Sequence, residues 1–260
     1  MTAKIILGTD NKGLEPHATL VASILRRSSV PIHIRCYYRG SDKPSDFTAY
    51  QGWLKVEFLD VVNPLVGTIP AHITLPCFDR VSGVRDFTDW DKALMLDWDQ
   101  LCLMDVAEFF KQDMGDNLMA ARLDEETIIK AASEWFQRQL PSDLSHLYEA
   151  KWPWLGCMFN LSQMRAENTW EKIVGYQNKL GWEEQLSIAL AVEGRIREWP
   201  YSWNCCPLWE KPADWGFVLH YSTPRKPWDD PKMPAANIWW QEKTDWNDLR
   251  QEKVKRPPIL

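Results

Sequence analysis

The chain predicts an α/β fold with a mostly parallel sheet flanked by helices, and three observations carry that expectation. Ile5-Ile-Leu-Gly-Thr-Asp10 is a short apolar strand ending in an acid. Leu14, Leu20, Val21, Ile24 and Leu25 then fall at helical spacing with one buried face. Two further strand candidates follow, Ile32–Tyr38, which alternates and is rich in strand formers, and Val56–Val62. The order strand, helix, strand, strand is the start of a parallel sheet. Finally, Lys92-Ala-Leu-Met-Leu-Asp97-Trp-Asp99 runs four apolar residues straight into two carboxylates, which reads as a buried strand inside a sheet, with a parallel neighbour.

The remaining elements follow in order. The turn Asn11-Lys-Gly13 joins the first strand to its helix, and Ser28-Ser29-Val-Pro31 ends that helix. Asn63–Pro76 holds three prolines and reads as a loop, and Phe78–Phe87 as a short helix. Leu101–Met104 is a strand candidate. Asp124–Leu140 reads as a helix that opens on three acids at the positive end of its dipole and stops at Pro141. Leu155–Leu161 is strand-like, Ser162–Gly175 and Glu183–Val192 are helical, and Gly216–His220 is a last apolar strand. From Pro227 on the chain is polar and rich in proline and tryptophan.

Composition bounds the function classes. At 260 residues the chain is long enough to bury a sizeable core. A net charge of −6 argues against a nucleic-acid surface. Sixteen tryptophans hint at carbohydrate contact, although most tryptophans are core. None of the six cysteines forms a Cys-x-x-Cys pair or a zinc spacing. Cys36, Cys102 and Cys157 read as small buried hydrophobes, and adjacent Cys205-Cys206 as packing rather than redox chemistry. The amino terminus enters a strand without a signal-peptide pattern, and no apolar run approaches the roughly 18 residues of a membrane span, so a cytoplasmic protein is expected.

Asp97 and Asp99 carry the chemistry. Strand residues alternate faces, so both carboxylates point the same way. Like charges at that spacing need a counter-charge, which a hard divalent cation supplies. The plain alternative is two solvated acids at a turn. In open α/β sheets ligands gather at the carboxyl ends of strands, where Asp10, Asp97 and Asp99 all lie.

Four segments together resemble family 8 glycosyltransferases, the retaining group that includes glycogenin and bacterial galactosyltransferases. They are Ile5–Asp10 with the helix ending Ser23-Ile-Leu-Arg-Arg-Ser28; Phe78-Asp-Arg80 followed, seventeen residues after the arginine, by Asp97-Trp-Asp99; Gly156–Leu161 with Met164-Arg165 and, later, Glu184-Gln185; and His220-Tyr-Ser-Thr-Pro-Arg-Lys226-Pro-Trp228. Their order and spacing, over about residues 4 to 228, is the strong part of the resemblance.

The resemblance implies a GT-A fold, with a single Rossmann-like sheet in a catalytic domain of residues 1–228 and an extension, 229–260, packed on it. It implies Mn²⁺ (with Mg²⁺ as second choice) held by Asp97, Asp99 and His220 on the diphosphate of a UDP-sugar, and a carbohydrate or glycoconjugate acceptor. Gly8, Thr9 and Asp10 would meet the nucleotide, with Asp10 accepting from the base. Lys226 and Arg80 would meet the diphosphate and Asp97 a sugar hydroxyl. Glu184 would bind sugar hydroxyls and Gln185 lie near the reacting carbon. Each has a plainer reading: Asp10 as a turn cap, Arg80 as a structural ion pair, Lys226 as a solvated lysine, His220 as a core residue, and Glu184-Gln185 as an ordinary helix start.

Two departures from the family pattern touch the sugar pocket. Trp154-Leu155-Gly156 stands where the family often has Asn-Ala/Ser-Gly, and Glu184 stands for its aspartate. Two other classes compete with this reading. A nucleotidyltransferase lacks support because Gly8–Gly13 is no phosphate-cradling glycine loop. A catalytically inactive carbohydrate- or sugar-nucleotide-binding protein on the same fold is disfavoured by the intact acids, histidine and lysine. Acids and bases balance across the tail, so packing of Trp239, Trp240 and Trp246 is expected over membrane contact. The sequence leaves the oligomeric state open.

Overall fold

A computed structural model describes the chain except residues 43, 48–49, 51, 62–74, 135–139, 141, 181–183, 213–214 and 253–260. Its elements are β1 (Ala3–Asp10), α1 (Leu14–Arg27), β2 (Ile32–Arg39), β3 (Leu54–Leu59), α2 (Leu75–Asp79), α3 (Gly83–Asp86), β4 (Lys92–Met95), β5 (Gln100–Cys102), α4 (Ala107–Phe110), β6 (Met119–Ala121), β7 (Leu123–Thr127), α5 (Ile128–Glu134), β8 (Lys151–Pro153), β9 (Cys157–Asn160), α6 (Leu161–Ala166), α7 (Thr169–Leu180), α8 (Glu184–Ala191), β10 (Ile196–Glu198), β11 (Val218–His220) and α9 (Ala236–Glu252). The class is mixed α/β, as expected. The chain forms two compact units. One comprises Met1–Asp60, Leu96–Asp113 and Pro200–Leu260, and the other Val61–Met95 and Met114–Trp199.

In the first unit β1, β2 and β3 run parallel, with Ala3 opposite Ile32 and Ile32 opposite Leu54. The apolar residues of β1 are fully buried, as a strand covered on both faces requires. Leu96 adds to this layer through its N–H, which donates to the Ile6 carbonyl at 3.1 Å. The short antiparallel pair β5–β11 sets His220 opposite Gln100 and Leu219 opposite Leu101. Leu101, Cys205, Leu219, Tyr221, Met233 and Trp239 form the core behind that pair. Helix α9 was not foreseen in the polar tail. It is tied to α1 through buried Glu242, which accepts from Arg26 at 3.1 Å and from Arg27 at 2.6 Å, and through Lys243 on Glu15. Trp239 and Trp246 are buried.

In the second unit the strand order is β10-β6-β9-β4. β9 is antiparallel to both β4 and β6, while β10 is parallel to β6. The strand before the paired acids therefore has an antiparallel neighbour on this side, where the sequence pattern suggested a parallel one. A helix beginning at Asp124 is also corrected: residues 123–127 form β7, whose ends pair with β8, and among the described residues the helix covers 128–134. The acids look like a helix start, but pairing with β8 overrides local propensity. The helix drawn through Ser162–Gly175 is two, α6 and α7, parted near Asn168, which adopts a positive φ of 54°. Most of the proline-bearing loop at 63–76 lies outside the described residues.

Candidate metal and donor site

The apolar strand that leads to the acids stops at Met95, one residue earlier than the pattern suggested. Asp97, Trp98 and Asp99 lie in a tight turn, closed by the Gln100 N–H on the Asp97 carbonyl at 3.1 Å. The turn, rather than strand alternation, presents the two carboxylates together. His220 reaches them because β11 pairs with β5 directly after the turn. Its Nε2 stands 3.6 Å from Asp97 Oδ2 and 3.4 Å from Asp99 Oδ1. One ligand atom from each of Asp97, Asp99 and His220 lies within 4.8 Å of the others. Their side chains are 13%, 12% and 8% exposed, so the group is largely buried.

Lys226 completes the group. Its Nζ donates to Asp99 Oδ2 and to the Tyr221 carbonyl, both at 2.6 Å. It also lies 5.7 Å from the Trp98 ring and 6.0 Å from the Trp228 ring, whose centroids are 5.5 Å apart. Two indoles thus flank the ammonium, an arrangement worth about 0.5–1 kcal/mol per contact at exposed sites. Burial would raise the Asp99 carboxyl, but the Lys226 ammonium and His220 outweigh it and hold the group well below the ordinary carboxylate range. Asp99 is thereby kept ionised.

Asp10 Oδ1 accepts from the Lys12 and Gly13 N–H groups, both at 3.0 Å, so it caps the turn after β1. Gly8 and Thr9 are buried beside it. A Cβ on Gly13 would lie 2.4 Å from Thr9 Oγ1 and 3.2 Å from Trp98, so glycine lets this turn approach the acidic one.

Arg80, Glu184 and Gln185 belong to the second unit. Arg80 Nε donates to Glu184 Oε1 at 3.0 Å and to the Cys77 carbonyl at 3.2 Å; the two charged side chains are only 3% and 6% exposed. The candidate arginine and the candidate acid are thus each other's partners. Gln185 Nε2 donates to the Pro153 carbonyl at 2.8 Å. Trp154, at the first departure from the family pattern, donates Nε1–H to Asp124 at 2.9 Å and lies under the Arg122 guanidinium, 5.1 Å away.

Sequence reasoning missed two residues that touch the metal group, Gln100 and Asn204. Gln100 follows the acids without a motif of its own, and Asn204 stands next to the more conspicuous Cys205-Cys206. No disulfide joins any of the six cysteines, and both of that pair are buried.

A family model described as "Glycosyl transferase family 8" matches residues 5–232. The chain belongs to glycosyltransferase family 8. Among similar proteins is one described as "Probable glycosyl transferase Gly" from Streptococcus gordonii, 23% identical over 237 residues, covering 84% of this chain and 32% of that one. Glycosyltransferase GlyA of Streptococcus pneumoniae is 22% identical over 188 residues, 67% of this chain and 25% of its own. The chain thus spans about a third or less of these relatives. The solved galactosyltransferase LgtC, in complex with donor and acceptor sugar analogs, matches with TM-score 0.73 and 17% identity over 98% of this chain and all of its own. GlyE of Streptococcus pneumoniae matches with TM-score 0.66 and 16% identity over 99% of this chain and 65% of its own. At these identities the structural likeness is one of fold, and that fold is GT-A.

The donor set fits a divalent cation. Two carboxylates and an imidazole supply oxygen and nitrogen donors of the kind manganese and magnesium sites use, with the nitrogen favouring manganese. No helix among the described residues is long and apolar enough to cross a membrane.

Proposed function

We propose that this family 8 chain is a metal-dependent retaining glycosyltransferase that moves a hexose from UDP-glucose or UDP-galactose to a carbohydrate or glycoconjugate acceptor. Residues 1–228 form its catalytic part and 229–260 an extension. One observation carries the reading: Asp97 and Asp99 converge within 4.8 Å with His220, which is far from them in sequence, beside Lys226. The sugar analogs bound to LgtC support a sugar donor and a sugar acceptor.

Asp97, Asp99 and His220 would hold Mn²⁺, or Mg²⁺ in its place. The bound cation supplies positive charge to a diphosphate leaving group. Lys226, flanked by two indoles, adds a point charge to the same group. Asp10 accepts from the base, next to Gly8 and Thr9, and Asp97 meets a sugar hydroxyl. Arg80, which the family resemblance assigns to donor and diphosphate, has its geometry fixed by Glu184. That ion pair also makes the Glu184 carboxylate a weak nucleophile, and the Gln185 amide is weaker still. Neither suits a covalent glycosyl intermediate, which favours attack on the face the diphosphate leaves. The acceptor's proton then passes to the departing phosphate oxygen.

The test is release of UDP from UDP-glucose and UDP-galactose, with and without Mn²⁺, by the wild type and by Asp97→Asn. Release should require Mn²⁺ and fall on the order of a hundredfold or more in the variant. Equal rates with metal, with chelator and in the variant would remove the metal from the reaction. Tight donor binding without any release would favour the inactive binding protein instead.

A further inference from the structure

Gln100 and Asn204 are fully buried polar side chains at the back of the metal group, and the donor reading above gives them no role. Their hydrogen bonds form a chain whose direction follows from one fixed end. The Asp97 backbone N–H can only donate, and it lies 2.8 Å from the side-chain oxygen of Gln100. That contact fixes the Gln100 amide, so its Nε2 is the end that faces Asn204 Oδ1, at 3.4 Å. Asn204 must therefore present an oxygen here. The same oxygen is 3.1 Å from His220 Nδ1. Because that oxygen accepts, His220 must carry its proton on Nδ1. The lone pair of the neutral ring is then left on Nε2, the atom that faces Asp97 and Asp99.

We propose that Asn204 and Gln100 are positioning residues that lock His220 in its metal-binding tautomer and hold the Asp97 turn in register with it. The proposal rests on the metal reading above. A histidine ligand is oriented by what its other nitrogen bonds, and loss of such a partner typically costs about 10- to 100-fold in metal affinity. Here one relay serves two ligands. Asn204 sets the ring nitrogen of His220, and Gln100 ties the same asparagine to the backbone of Asp97. Burial strengthens the device, because the wrong tautomer would set two acceptors, His220 Nδ1 and Asn204 Oδ1, against each other with no water to mediate.

Manganese titration of the purified 260-residue chain, followed by the signal of free Mn²⁺ in electron paramagnetic resonance, separates the possibilities. Wild type should bind one ion, and Asp99→Asn should not. Asn204→Leu should bind about 10- to 100-fold more weakly with its fold intact by circular dichroism. Asn204→Asp, which still accepts from Nδ1, should stay within about threefold of wild type. Equal affinity in Asn204→Leu and wild type overturns the proposal while leaving the metal reading in place; failure of wild type to bind overturns the metal reading itself. Should Asn204→Leu fail to fold, nitrogen NMR of the cadmium-loaded wild type decides. A proton on His220 Nδ1 upholds the relay and a proton on Nε2 overturns it.

Discussion

Lys226 and a bound cation make competing claims on Asp99. The ammonium sits 2.6 Å from one carboxylate oxygen while the other oxygen faces His220. Removing the ammonium takes charge from the leaving group but frees the carboxylate. Lys226→Ala should therefore lower glycosyl transfer on the order of a hundredfold without weakening Mn²⁺ binding. Turnover and a calorimetric Mn²⁺ titration check both halves, and a tenfold loss of Mn²⁺ affinity would show that lysine and metal do not compete. At this scale the two aspartates were legible from the apolar run that precedes them. His220 and Lys226 were legible only through resemblance, because a histidine on an apolar strand and a loop lysine carry no local mark. Gln100 and Asn204 gave no signal at all, since their meaning lies in a hydrogen bond between residues 104 positions apart.

At the scale of elements, the Arg80–Glu184 pair joins the 3-10 turn after α2 to the first turn of α8. Both charges are nearly sealed from water, so breaking the pair strands one of them. Arg80→Ala should destabilise the protein by about 3–5 kcal/mol, whereas replacing both by apolar residues of similar volume should cost much less. Denaturant unfolding of the single and double variants measures the difference, and equal losses would show that the pair is not coupled. The strands around the site were readable from alternation and apolar runs. β7 was not, because acids at 124–126 resemble a helix start until β8 is there to pair with them.

Two properties belong to the molecule as a whole. His17 is buried among Phe47 and Phe58, its Nε2 finds no hydrogen-bond partner among the described residues, and burial pushes its pKa down to about 4. Above pH 6.5 the ring is neutral folded or unfolded and has no effect on the balance. Between pH 6.5 and 4 the unfolded chain takes up a proton that the fold refuses, so stability falls with acid by up to about 1.4 kcal/mol per pH unit. His17→Leu should flatten that part of the stability profile relative to wild type; superimposable slopes would rule His17 out as the cause. The second property is the tether of α9. Glu242 is 4% exposed and answers two arginines of α1. Glu242→Ala should cost about 2–4 kcal/mol, read as a lowered denaturant midpoint, and an unchanged midpoint would mean that the Glu242 pairs do not hold α9 in place.

The sequence by itself determined the α/β class, most of the elements and the two acids, since hydrophobic period and apolar runs are local properties that each segment carries alone. Tertiary structure decided which distant residues meet. The antiparallel register of β5 and β11, with Gln100 opposite His220, brings residue 220 to the turn at 97–99. That register depends on how a shared core of Leu101, Leu219, Tyr221 and Trp239 packs, and no segment holds that information within itself.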